Sequence, residues 1–292
     1  MAILIDRATR ILIQGITGPT GRSYAERMVA NGTPLVGGVA PGRRGQIVCG
    51  VPVFDCMEDA VAATGADAAI GAVRSSLAPG AAFEALAAGI RTLVVYTENV
   101  PVHDALRMRA YARARGARLL GPNSAGVVSP GKANLADLND ANLRPGRIGI
   151  VSKSGTLTYE VIADLQACGF GESSVVCLGG DPVIGTTYAD ILPLFDADDE
   201  TDLIVLIGEP GGRLEYEAIA MLPALRKPVV AYIAAQNAPP EKRMGHAGAI
   251  YDRGDTTAAA KLAAFRAAGC EAVGRVTEVA AAVERALTRG RA

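Results

Sequence analysis

Only two histidines occur in the 292-residue chain, and one of them, His246, stands in the stretch "KRMGHAGAI" behind two cations. Gly245 and Gly248 on either side remove side-chain bulk and let another group approach the backbone closely. Imidazole is the side chain whose unperturbed pKa lies near neutrality, which suits it to act as nucleophile, base or ligand. A loop histidine beside a turn fits the same nonapeptide, so the surrounding sequence has to separate the two readings. A second chemical signal lies near the start, where "ILIQG" runs into "ITGPTGRSYAERM" with Gly15, Gly18 and Gly21 spaced G-x-x-G-x-x-G ahead of a helix. Such a turn aims backbone N–H groups and a helix N-terminus at an anion, and a phosphate is the natural occupant. Pro19 suits the first helical turn. The next strand, "PLVGGVAPGRRG", ends in Arg43 and Arg44, where an NAD site usually carries an acid for the ribose hydroxyls. Two guanidinium groups suit a further phosphate instead, as in NADP or coenzyme A.

Runs of Val, Ile and Leu alternate with alanine-rich stretches of helical length: "RILIQGI" then "GRSYAERMVANG", "RTLVVYT" then "VHDALRMRAYARARG", "RIGIVS" then "TLTYEVIADLQACG". Continuous apolar strands alternating with helices predict a parallel sheet covered on both faces, the doubly wound α/β class. Residues 121–149, with three prolines and five glycines, break that rhythm and mark the expected domain junction. A new series starts at Ile148, continues through "DLIVLIGE" and "PVVAYIA", and closes with "TTAAAKLAAFRAAG" and "VTEVAAAVERALTRG". Half the residues are apolar, enough for two cores, and the net charge of -1 gives no general attraction to nucleic acid or to an anionic membrane. No apolar run of membrane-spanning length and no signal peptide is visible, so a cytoplasmic protein is expected. The five cysteines, Cys49, Cys56, Cys168, Cys177 and Cys270, form no C-x-x-C pair and read as reduced thiols, with no metal site expected.

Taken in order, "ILIQGITGPTG", "VGGVAPGRRG", "GVPVFD", "GPNSAG", "GIVSKSGTLTYE", "GGDP", "VLIGEPGG", "KPVVAYIA" and "KRMGHAGAI" resemble the α subunit of succinyl-CoA synthetase and its relatives, malate–CoA ligase and the corresponding part of ATP-citrate lyase. The resemblance runs from about Ile3 to Leu287. It implies an N-terminal Rossmann-like CoA-binding domain, residues 1–124, and a flavodoxin-like phosphohistidine domain, residues 125–292. By the same resemblance His246 is the transiently phosphorylated nucleophile and Glu209 in "GEPGG" orients its ring. Ser154, Gly155 and Thr156 receive the phosphoryl group, and a strand ending in Ser-Gly-Thr before a helix does offer free N–H donors and a positive dipole end. CoA is assigned to Gly15, Thr17, Gly18, Pro19, Thr20, Gly21, Arg43, Glu98 and Asn123, with Tyr159 toward the acid substrate. Arg43 stands where the family commonly has lysine, which keeps the charge and changes the geometry. "GPNSAG", "ENVP" and "LADLNDANLRPG" depart from the family's usual "GPNCPG", "EGIP" and "IGIMPG", which leaves the carboxylic acid open among succinate, malate and others.

The implied reaction is a nucleoside-diphosphate-forming carboxylate–CoA ligation in the manner of the tricarboxylic acid cycle enzyme. ATP or GTP, bound with Mg²⁺, phosphorylates His246, the phosphoryl group passes to a carboxylate, and CoA displaces phosphate. No G-x-x-x-x-G-K-[ST] loop is present, and the nucleotide-grasp region belongs in this family to a separate β subunit. A hetero-oligomer is therefore expected. Two other readings are a non-catalytic CoA-binding regulatory protein of the same fold and an NADP-dependent oxidoreductase; the second explains the arginines but not "KRMGHAGAI". His103 reads as a helix-start or surface residue, and Lys132, Asp137 and Asp140 as a solvated loop.

Overall fold

The computed structural model describes residues 2–238, 245–249 and 254–289. Lys242 and Arg243, the two cations ahead of the histidine, lie outside the described residues.

The first sheet is built from β1 (Ile11–Gln14), β2 (Leu35–Val39), β3 (Ile47–Val48), β4 (Val51–Phe54), β5 (Ala68–Gly71), β6 (Thr92–Val95) and β7 (Arg118–Leu120), in the order β3-β4-β2-β1-β5-β6-β7. All its pairings are parallel except that of the short edge strand β3 with β4. With β3 set aside, the parallel strands follow the Rossmann order 3-2-1-4-5-6. Helices α1 (Pro19–Ala30), α2 (Met57–Thr64), α3 (Ala78–Ala87) and α4 (Val102–Ala114) supply the crossovers. β1 and β5 are buried along their whole length, as strands covered on both faces must be. The order of strands reverses between β1 and β5, which opens a crevice above their C-terminal ends.

The second sheet holds β8 (Gly126–Ser129), β9 (Ala133–Ala136), β10 (Pro145–Ser152), β11 (Glu172–Cys177), β12 (Leu203–Gly208), β13 (Val229–Ile233) and β14 (Glu271–Val273), in the order β14-β13-β12-β10-β11-β8-β9. Its five parallel strands follow the flavodoxin-like order 2-1-3-4-5, so its switch point lies between β10 and β12. Helices α5 (Gly155–Ala167), α6 (Tyr188–Ala197), α7 (Leu214–Met221), α8 (Ala258–Ala267) and α9 (Val279–Arg289) pack around it.

The segment 121–149 differs from the loop expected of it. It contains the antiparallel hairpin β8–β9, which adds to the edge of the second sheet through β11. Both strands are buried at every position, so they show no alternation of polar and apolar residues for a sequence reading to find. The polar residues of this segment are engaged: Lys132 pairs with Glu200, Asp137 with Arg27 of α1 at 2.8 Å, and Asp140 accepts from Asn31 at 2.6 Å and Asn134 at 2.7 Å. Three of these partners belong to the first sheet's crossover or to the hairpin itself, so the junction holds the two sheets together. His103 sits exposed in the first turn of α4.

β12 carries its load at its C-terminal end, where Tyr188 of α6, fully buried, donates its hydroxyl to the Ile207 carbonyl at 2.6 Å. Lys153 N–H reaches the same carbonyl at 3.3 Å. Tyr188→Phe is therefore expected to lower the unfolding free energy by about 1 kcal/mol, the net worth of one buried hydrogen bond whose acceptor keeps a second donor. A lower urea midpoint with an unchanged slope checks it.

Candidate functional site

Two subsites lie at the two switch points. At the first, β1 ends in Gln14 and the chain turns at Gly15, whose φ of +80° belongs to the left-handed region open to glycine. Gly18 N–H closes the turn on Gly15 O at 3.0 Å, and Gly18 is the N-cap of α1 with no side-chain cap. Pro19 opens the helix, leaving the next N–H groups free for an anion. Gly21 lies behind the turn, where a Cβ would stand 2.2 Å from Gly15 O. The turn and the helix can come this close only because that side chain is missing.

Above the turn is a cleft of about 800 Å³. Of the residues assigned to CoA by resemblance, Gly15, Thr17, Gly18, Pro19, Thr20, Glu98 and Asn123 line it. Arg43 does not line it. It sits on the exposed loop after β2, its N–H donating to Asp55 Oδ1 at 3.1 Å, while Arg44 pairs with Asp59 at 3.0 Å. The cleft contains groups that the sequence reading missed. Arg74, just beyond β5, is its cation, and Leu77 and Tyr96 are large side chains left exposed in its wall. Arg74 follows a buried strand with nothing in its spacing to mark it; only the placement of β5 beside β1 brings it to the glycine turn. Asn123 has a φ of +58°, a strained conformation held by its N–H bond to Thr97 O at 2.8 Å.

At the second switch point, β12 delivers Glu209 and β10 delivers Lys153 and Ser154. Ser154 is the N-cap of α5, its hydroxyl accepting from Leu157 N–H at 3.3 Å, so the first turn at Gly155 and Thr156 presents free donors. His246 Nδ1 lies 2.7 Å from Glu209 Oε2. Burial opposes a charge on Glu209, but the His246 bond and the Lys153 charge together hold its carboxyl below its ordinary value, so it is a carboxylate. A carboxylate has no hydrogen to give, so Nδ1 is the donor and Nε2 of the neutral ring keeps its lone pair. A nitrogen with a free lone pair can act as a nucleophile.

Gly180 joins the two subsites. Its N–H donates to Asn123 O at 3.0 Å, its carbonyl accepts from Gly248 N–H at 2.9 Å, and a Cβ on it would stand 2.5 Å from His246 Cγ. The imidazole thus lies on bare backbone that is itself bonded to the cleft. Gly155 similarly abuts Ala125, at 2.8 Å for a Cβ. Tyr159 is committed elsewhere: its hydroxyl donates to Asp137 O at 2.9 Å and accepts from Asn139 N–H at 2.7 Å, which leaves no donor for a ligand. In "GPNSAG", Ser124 is likewise turned inward, bonding Cys177 O at 2.5 Å.

Comparison with known proteins agrees with this division of labour. A CoA binding domain family matches residues 6–99, and a CoA-ligase family matches residues 151–270. The succinate–CoA ligase [ADP-forming] subunit alpha 1 of Archaeoglobus fulgidus is 45% identical over 287 residues, 98% of this chain and 99% of that one. The corresponding α subunit of Aquifex aeolicus is 43% identical over 290 residues, 98% and 95% of the two chains. Among solved structures, ATP citrate lyase from Methanothrix soehngenii, in complex with citrate and coenzyme A, superposes with a TM-score of 0.88 at 26% identity over 99% of this chain. The chain spans about half of that lyase, 52% of its length. The dinucleotide-forming acetyl-coenzyme A synthetase 1 of Ca. Korarchaeum cryptofilum shares the fold, with a TM-score of 0.74 at 20% identity over 93% of this chain and 59% of that one.

The hydrogen bond that His246 donates to Glu209 raises the pKa of the imidazole above its ordinary 6.5. Imidazole NMR titration is expected to show that elevation and its loss in Glu209→Gln. The imidazole's contribution to stability is complete below 6.5 and fades as pH rises through its higher folded value, while the carboxylate's is complete above 4.5. The pair therefore stabilises the fold most between those two values.

Proposed function

Because the chain belongs to the family of succinate–CoA ligase α subunits, we propose that it is the α subunit of a nucleoside-diphosphate-forming carboxylate–CoA ligase. In this reading residues 1–124 bind CoA and residues 125–292 carry the phosphoryl group. CoA sets its nucleotide phosphates on the N–H groups of the Gly15–Gly21 turn, with Arg74 and Arg43 as cations, and runs its thiol arm past Glu98 toward Asn123. His246 Nε2 forms a bond to the γ-phosphorus of the nucleotide as the bond to the diphosphate breaks. The free N–H groups of Gly155 and Thr156, beside the Ser154 cap, take the phosphoryl oxygens. A carboxylate oxygen then displaces Nε2 to give the acyl phosphate, and the CoA sulfur displaces phosphate to give the thioester. The acid is a small carboxylate. The relatives' names make succinate the first to test and ATP the expected nucleotide.

The observation that most supports this assignment is the run of contacts from cleft to ring, Asn123–Gly180–His246–Glu209, which sets a nucleophilic nitrogen beside a phosphate-binding cleft. The nucleotide and its Mg²⁺ are assigned to a β subunit with a nucleotide-grasp domain. No helix among the described residues is long and apolar enough to cross a membrane, and the cytoplasm is the proposed compartment.

With its β subunit and labelled ATP, the chain is expected to acquire an acid-labile, base-stable phosphate that His246→Asn abolishes together with turnover. Both forms should bind CoA equally by calorimetry, and more tightly than NADP. A label retained in His246→Asn, or tighter NADP binding, would overturn the reading. Charge reversal at Arg74 should weaken CoA by about tenfold or more, the worth of one charged hydrogen bond, and by more than reversal at Arg43, which stands outside the cleft.

A further inference from the structure

The deepest charges of the second sheet gather under Glu209. Lys153, its side chain 4% exposed, sets Nζ 3.0 Å from Glu209 Oε1, an ion pair rather than an aligned hydrogen bond. Lys261 of α8 and Glu215 of α7 are both fully buried and paired at 2.5 Å. The Lys261 ammonium also donates to Glu209 O at 2.8 Å and Gly211 O at 2.5 Å. Three acceptors around one Nζ match its three N–H donors, which offsets the burial that works against its charge. Glu215 Oε1 accepts the Glu209 N–H at 3.2 Å. Glu209 is therefore held at its amide by Glu215, at its carbonyl by Lys261 and at its carboxylate by Lys153.

We infer that Lys153 is a positioning residue of the phosphohistidine reaction, keeping Glu209 ionised and aimed at Nδ1, and that the Lys261–Glu215 pair braces the backbone from which that carboxylate projects. The inference rests on the reading of His246 as phosphoryl carrier. Its physical basis is the tautomer. A buried carboxyl with only a neutral imidazole for company takes up a proton, and a protonated carboxyl donates to Nδ1, which moves the ring hydrogen to Nε2 and removes the nucleophile. Among the described residues the charged groups facing Glu209 are Lys153 after β10, Glu215 on α7, Lys261 on α8 and His246, with Asp181 near the ring. The Lys261 and Glu215 charges cancel locally, so among the described residues Lys153 is the cation left to match the carboxylate.

The α chain with its β subunit and labelled ATP provides the test. In Lys153→Met, phosphorylation at neutral pH is expected to slow by about ten- to a hundredfold, as when other ligand-orienting partners are lost, and the acid limb of its pH profile should move to higher pH. Lys153→Arg should restore both, and CoA binding should stay unchanged. A residue that only fills space would lower stability and leave the limb in place. Lys261→Met with Glu215→Leu keeps the volume without the charges; it should slow phosphorylation with the acid limb unmoved. Lys153→Gln serves where the Met variant does not fold. Wild-type rate and limb in Lys153→Met, or a limb moved as far by Lys153→Arg, would overturn the inference. The His246→Asn control separates the two levels. Label lost there but unchanged in Lys153→Met removes the inference alone, while label retained in His246→Asn removes the phosphohistidine reading and the inference with it.

Discussion

A carboxylate placed where water scarcely reaches governs this site. Glu209, 5% exposed, directly follows the interior strand β12, and an isolated charge at that depth would cost several kcal/mol or simply neutralise. The fold meets that cost with an opposite charge, Lys153 from the end of the neighbouring strand β10, and with a hydrogen bond donated by the imidazole of His246. Parallel pairing of β10 with β12 sets the C-terminal ends of both strands on one side, so the lysine and the glutamate arrive together. The same register starts α5 two residues beyond Lys153, after the Ser154 cap. The helix end with its free N–H groups, the cation and the acid bonded to the ring are thus one consequence of a single strand pairing.

The second constraint is a missing side chain. Gly180 bonds to Asn123 on the cleft side and to Gly248 on the histidine side, and the imidazole occupies the space its Cβ would need. Any other residue there would push the ring away from the carboxylate or the loop away from the cleft. Glycine's entropic cost is small beside that displacement. In the proposed reaction thiol and phosphoryl chemistry have to meet within one small volume, and Gly180 puts only backbone between their two supports.

Much of this was legible in the sequence. The Val/Ile/Leu runs and alanine-rich helices announce a doubly wound class because parallel strands buried on both faces need no alternation, and the glycine spacing at 15–21 marks the turn found at the mouth of the cleft. The hairpin β8–β9 stayed hidden for the same reason that the parallel strands were visible. Its four-residue strands are wholly buried and bounded by Gly and Pro, so they read as junction. Lys153, Glu215 and Lys261 stayed hidden because charge in a sequence defaults to a solvated face; only strand order and helix packing reveal that these three are interior. Arg74 needed the pairing of β1 with β5, and Tyr159 needed the loop at Asp137–Asn139 that takes up its hydroxyl.

What the buried charges do can be argued from what stability alone would favour. A buried ion pair and a well-packed apolar pair of similar volume differ little in folding free energy, and the apolar pair is often the better. α8 and α7 pack against the sheet through alanine, leucine and phenylalanine elsewhere, so methionine and leucine at positions 261 and 215 would suit the same interior. Lys261 nevertheless spends all three of its hydrogens there, two of them on the carbonyls of the Glu209–Gly211 turn. A helix held only by apolar contact can slide by fractions of an ångström, because dispersion falls off gradually and has no direction. Hydrogen bonds to a turn fix distance and angle together. The fold has put directional contacts at the one turn whose side chain must meet a ring nitrogen, and left the rest of the core to shape.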